Sequence, residues 1–140
     1  MGRILALDVG DARIGLAASD LMQIIANPLE TYHRKKNDND FLYIADLAKQ
    51  KEVELIVCGL PLGMNNLENE QTQKTRAFIE KLSKFTNLPV RFIDERLTTV
   101  SAEKVLIEGN VRRENRKGVI DKVAATIILQ NYLDYYKQKS

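Results

Sequence analysis

Of its 140 residues only one, Cys58, is a cysteine, so no disulfide can form within the chain. A single thiol in a chain of this size fits a reducing compartment and predicts a cytoplasmic protein. No apolar run approaches the roughly 20 residues that a bilayer crossing requires. Met1-Gly2-Arg3-Ile4 lacks the layout of a secretory leader, so no membrane role is expected. Charge of one sign is also scarce: 21 Lys and Arg stand against 19 Asp and Glu, net +2, with a pI near 8.6. That excludes the strongly basic, arm-type nucleic-acid binders and leaves only a local patch for a polyanion. The one histidine, His33, lies in a polar stretch, and no Ser-His or Cys-His set for nucleophilic catalysis is evident. Cys58 sits in an apolar run and reads as core packing.

What is present is an ordinary globular balance, 44% hydrophobic and 29% charged, in a length that suits one domain spanning residues 1–140. Ile4 to Val9 is apolar on both alternating faces except at Asp8, as in a central strand covered on both sides. Gly10-Asp11-Ala12 reads as a turn and Arg13 to Ser19 as an antiparallel second strand. Gln23 to Tyr32 reads as a third, with Pro28 favouring an edge or a bulge. After a polar loop from His33 to Asp40, with Asp38 or Asn39 as cap, Phe41, Ile44, Ala45 and Ala48 follow helical spacing. Glu54 to Gly59 reads as a buried strand, Leu67 to Phe85 as a helix and Val90 to Ile93 as the last strand. Thr98 to Glu108 reads as a helix ended by Gly109-Asn110. Arg112 to Gly118 reads as a basic loop, and a final helix starts near Val119. The order β-β-β-α-β-α-β-α-α predicts a mixed five-stranded sheet, three antiparallel strands first and then parallel ones, with helices on both faces.

Three acids stand where acids are locally awkward. Asp8 ends an apolar strand, Glu95 follows the last strand, and Asp121 sits among Ile120, Val123, Ala124 and Ala125 at the head of a helix. Ligand sites in open α/β sheets lie at the carboxyl ends of strands, where Asp8 and Glu95 fall. A helix crossing the sheet could add Asp121, and Ala124 and Ala125 would let it come close. Converging carboxylates need a cation, and hard oxygen ligands select Mg²⁺ or Mn²⁺. Two such ions can clamp the attacking and leaving oxygens of a phosphodiester. Local spacing alone leaves other readings open. Asp8 can simply start a turn, Asp94-Glu95-Arg96 can be a solvated strand end, and Asp121 can complement a helix dipole.

Read as strings, four segments say more. Leu7-Asp8-Val9-Gly10-Asp11-Ala12-Arg13-Ile14-Gly15, Cys58-Gly59-Leu60-Pro61-Leu62, Asp94-Glu95-Arg96-Leu97-Thr98-Thr99 and Ile120-Asp121-Lys122-Val123-Ala124-Ala125 occur in that order. Together they resemble the motifs of the YqgF (RuvX-type) family across residues 4 to 133. The resemblance implies an RNase H-like fold, with Asp8, Glu95 and Asp121 as metal-binding catalytic positions for Mg²⁺ or Mn²⁺. It implies hydrolysis of nucleic-acid phosphodiesters. The family is described both as a Holliday-junction resolvase and as a nuclease maturing the 5′ end of precursor 16S ribosomal RNA. One departure is Asn66, which stands where the family usually has Gly; Asn is the best substitute at positive φ. Another is the set of three acids, fewer than the four typical of related junction resolvases.

Arg13 and Arg96 each adjoin a proposed acid and can either contact phosphate or orient the acid through an ion pair. Arg112, Arg113, Arg116 and Lys117 form the densest basic segment and the best candidate for backbone binding, the alternative being a solvated loop. Lys122 reads as a surface lysine, and Thr98 and Thr99 as helix caps. The main expectation is a nuclease acting on structured RNA, precursor ribosomal RNA first. A resolvase acting on four-way DNA junctions would need a dimer, so monomer and homodimer both stay open. A non-catalytic nucleic-acid-binding protein would show affinity without cutting. An actin-like or sugar-kinase phosphate loop, which Asp8-Val9-Gly10 also resembles, needs two such domains and is too large for 140 residues.

Overall fold

A computed structural model describes residues 2–62, 67–94 and 116–136, without the side chains of 116–120 and 136. The elements run β1 (Arg3–Val9), β2 (Arg13–Ser19), β3 (Ala26–His33), α1 (Asp38–Gln50), β4 (Val53–Leu60), α2 (Glu70–Leu82), β5 (Val90–Asp94) and α3 (Arg116–Asn131), closed by a π-helical turn at Tyr132–Tyr136. The sheet order is β3-β2-β1-β4-β5. β1, β2 and β3 pair antiparallel, whereas β4 and β5 extend the sheet parallel to β1. This is the mixed sheet that the element order predicts.

Side-chain alternation sorts the core into two layers. Leu5, Leu7, Ile14, Leu16, Ile56 and Cys58 meet Phe41 and Ile44 of α1 and Phe78 and Leu82 of α2. On the other face Ile4, Ala6, Ala17, Val57 and Ile93 meet Ala125, Ile128 and Leu129 of α3. Alanines on both sides of the second layer bring α3 close to the strands. Ala124 and Ala125 are both buried there, as their size suggests.

Several boundaries differ from the sequence-based expectation, each for a local reason. β3 starts at Ala26 rather than Gln23, because the Asp20 carboxylate accepts from the N–H groups of Ile24 and Ile25 and holds those residues in the turn. Pro28 lies on an edge strand whose register shifts between Leu16 and Ala17, so both of its suggested roles apply. α1 is capped by Asn37, not Asp38 or Asn39. α2 begins only at Glu70, where Asn69 and Thr72 form a capping box, and it stops at Leu82. α3 begins at Arg116 rather than near Val119, so residues 116–118 are helical and not part of a loop. The expected helix from Thr98 to Glu108 lies outside the described residues. Among the described residues no helix is long and apolar enough to cross a membrane.

Candidate active site at the carboxyl edge of the sheet

Asp8 is the last α3-facing residue of β1, on the same face as Ile4 and Ala6, and it is half-buried. Its antiparallel partner across the ladder is Gly15. A Cβ at Gly15 would stand 1.9 Å from the Asp121 carbonyl oxygen and 2.4 Å from its carbonyl carbon. The backbone of α3 therefore rests directly on Gly15, and Asp8 and Asp121 flank the same glycine. Asp121 is the sixth residue of α3, in its second turn, so its position is not explained by a first-turn charge complementing the helix dipole.

Arg13 lies two residues from Gly15 on the same face of β2. Its Nε donates to Asp121 Oδ2 at 2.6 Å, with side-chain exposures of 30% and 21%. Of the two roles open to Arg13, an orienting ion pair is present. Its partner there is the helix acid Asp121. Such a short charge-assisted bond fixes the carboxylate's orientation.

The parallel strands align their ends at the same edge. Gly59 pairs with Ile93 and Leu60 with Asp94, one row on from Leu7 paired with Cys58. Ile93 faces α3, and β5 ends one residue before Glu95. Glu95 and Arg96 themselves, with Arg112, Arg113, Thr98, Thr99 and Asn66, lie outside the described residues. Arg116 and Lys117 open α3 within two turns of Asp121. Among the described residues no group of three His, Cys, Asp or Glu gathers to hold a metal ion.

Two supports of this edge carry no signal in a motif reading. Thr72, fully buried, donates from its hydroxyl to the Pro61 carbonyl and ties the loop after β4 to the start of α2. The spacing Asn69-x-x-Thr72, a variant of the capping-box pattern, is the signal that could have found it. Arg34 grips the turn after Asp8: its Nη1 donates to Gly10 O at 2.8 Å and its backbone N–H to Ala12 O at 2.9 Å. The guanidinium lies 5.0 Å above the Phe78 ring, with Nε 3.5 Å from Asp40 Oδ2.

Asp40 is 1% exposed. It accepts from the Tyr32 hydroxyl at 2.9 Å and from the backbone N–H groups of Lys35 and Lys36 at 2.8 and 3.0 Å. Burial pushes its carboxyl up, but the Lys35 N–H, the Tyr32 hydroxyl, the Lys36 N–H and Arg34 together outweigh that and hold it below the ordinary 3.8. Burial first, and then Asp40, push Tyr32 up to about 12, so it remains a donor. A lowered folded-state pKa stabilises the fold fully above 3.8 and is lost as pH falls from there through the folded value. Asp40→Asn is therefore expected to lower stability at neutral pH and to flatten the acid side of the stability curve. Denaturant midpoints taken down to about pH 2 check it; a difference from wild type that stays constant with pH refutes it.

Residues 2–135 match the model of the family described as "RuvX: Holliday junction resolvase". The chain belongs to the RuvX family. Relatives in Thermoanaerobacter pseudethanolicus and Fusobacterium nucleatum are each 49% identical. They cover 98% of this chain and 99% and 100% of their own lengths, and both carry the name "Putative pre-16S rRNA nuclease". Among solved structures, RuvC of T. thermophilus in complex with a Holliday junction substrate superposes with a TM-score of 0.64 at 12% identity, over 100% of this chain and 98% of that one. The fowlpox virus Holliday junction resolvase gives 0.53 at 14% identity, over 94% and 98%. At such identities the likeness concerns the fold, and this RuvX chain has the RNase H-like architecture of those resolvases.

Proposed function

We propose that this RuvX chain is a nuclease that hydrolyses phosphodiester bonds of structured nucleic acid, with 5′-end maturation of precursor 16S ribosomal RNA as its task. The observation that carries the reading is the seating of the Asp121 backbone on Gly15, the ladder partner of Asp8, which supports a site that takes both acids. Relatives of near-equal length under the rRNA-nuclease name favour RNA as substrate. Glu95 supplies the third carboxylate of the proposed site.

The donor set suits Mg²⁺ or Mn²⁺. Both described ligands offer hard carboxylate oxygens from regular elements, and Arg13 engages only one oxygen of Asp121. When bound, such ions lower the pKa of a water and neutralise charge at the phosphoryl group. The chain's own part is to hold the oxygens in place. Arg13 orients Asp121, Arg34 pins the turn behind Asp8, and the alanine layer beneath α3 keeps the helix from shifting. Arg96, Arg112, Arg113, Arg116 and Lys117 bind the flanking phosphates, which makes affinity fall with salt.

Labelled precursor 16S rRNA and a four-way DNA junction, each incubated with wild type with and without Mn²⁺, test the reading. Metal-dependent cutting of the RNA alone is expected. Cutting of the junction by a stable dimer would instead favour the resolvase reading, which the family description and the RuvC-like fold support. Binding without cutting of either substrate refutes the enzyme.

Arg13→Gln is expected to lower cleavage by about 10- to 100-fold, the usual consequence of losing a group that orients a metal ligand. The partly exposed pair contributes on the order of 1 kcal/mol or less to stability. Single-turnover rates across a Mn²⁺ titration, with a thermal melt alongside, separate the two. An altered melt with unaltered rates would leave Arg13 a purely structural role.

A further inference from the structure

On the face of the sheet opposite α3, a cavity of about 570 Å³ opens beside the turn that follows Asp8. Arg34, Lys36, Lys74 and Lys81 line it against two carboxylates, Asp11 and Asp40. We infer that this groove is a second phosphate-binding track, which receives the backbone of the nucleic acid after it passes the Asp8–Asp121 edge. The inference rests on the nuclease reading.

The cations come from two separate segments that the fold gathers, the loop after β3 and α2. Lys74 and Lys81 are seven residues apart on α2, about 10 Å along the helix. Their present partners are weak: Lys74 lies 3.6 Å from Asp11 and 3.5 Å from Glu70, and Lys81 lies 3.5 Å from Asp38. All of these side chains are at least half exposed, so the pairs are easily exchanged for phosphate.

The opposite rim is fixed. Lys36 is held in the left-handed region, φ 61°, which a residue with a Cβ adopts only under local constraint. The constraint is the buried Asp40 carboxylate, which accepts from both the Lys35 and Lys36 N–H groups. At the floor Arg34 is locked over Phe78 and onto Gly10 O. The same arginine therefore belongs to the groove and to the turn behind Asp8. Asp11 lies in that turn and lines the groove, so the track begins at the candidate active edge.

Lys74→Gln/Lys81→Gln is compared with Lys49→Gln/Lys84→Gln, which removes the same charge from exposed positions outside the groove. Binding of a labelled precursor 16S rRNA fragment is followed in EDTA over a range of salt. Two lost single-strand contacts reduce the slope of log affinity against log salt by about 1.4 and weaken binding by roughly 10- to 30-fold near 0.1 M salt. The control pair is expected to change neither. Equal behaviour of both pairs while wild type binds overturns the groove alone and would leave it to an acidic protein partner. Failure of wild type to bind or cut any nucleic acid overturns the nuclease reading and the groove with it.

Discussion

Asp8→Asn and Asp121→Asn are each expected to abolish cleavage, by at least about 10³-fold, or about 4 kcal/mol of transition-state stabilisation. Both variants should fold. Asn keeps one oxygen, so Asn at 121 can still accept from Arg13. The helix that carries it is held by Ala125, Ile128 and Leu129. Asn at 8 stays on a β1 ladder whose neighbours Leu7 and Val9 are buried. What each variant loses is a formal negative charge at the place where a divalent cation must be held. Asp46→Asn, on exposed α1 surface where Asp46 accepts from Gln50, is the matching control and should cut like wild type. Single-turnover cleavage at saturating Mn²⁺, with melts of all variants, decides the matter. Unchanged rates in either Asp8→Asn or Asp121→Asn would remove the carboxylate mechanism.

The same residues show what could be read from sequence and what could not. Asp8 stood out because a charge at the end of a strand with two apolar faces is costly unless it is used, and β1 is indeed covered on both sides. The mixed sheet followed from hairpins preceding β-α alternation. The ends of α2 and α3 were harder. Leu67 is apolar but 66% exposed, so it extended the helical pattern beyond the true cap. The first turn of α3, Arg116-Lys117-Gly118, has the composition of a loop yet is helical. The cationic groove escaped because its members are dispersed, two from the loop after β3 and two from α2. The densest run of positive charge in the sequence is Arg112 to Lys117. Gly15 escaped although glycine inside a strand is a known sign of close backbone approach.

Gly15→Ala should be among the most damaging single methyl additions to this chain. The new Cβ would sit 1.9 Å from Asp121 O, 2.4 Å from its carbonyl carbon and 3.0 Å from Lys122 N. All three are backbone atoms, so no rotamer change relieves the clash. Either α3 retreats by more than 1 Å, about the gap between 1.9 Å and the closest tolerable approach, or β2 bends away. Retreat opens space beneath Ala125, Ile128 and Leu129, where a gap of that size forfeits roughly a quarter to a half of the dispersion attraction. Bending instead strains a strand paired on both sides. Overpacking of this kind costs about 1–3 kcal/mol and sometimes more, and about 3 kcal/mol here would lower the melting temperature by roughly 10 °C. Activity should fall further than stability does. A misplacement of about 1 Å at a catalytic group costs on the order of 100-fold, and the shift falls on Asp121 itself. Cleavage measured well below the variant's melting point separates lost geometry from lost folded protein. A variant that melts and cuts like wild type would mean that α3 does not rest on β2 at Gly15, and the proposed site that joins Asp121 to Asp8 would go with it.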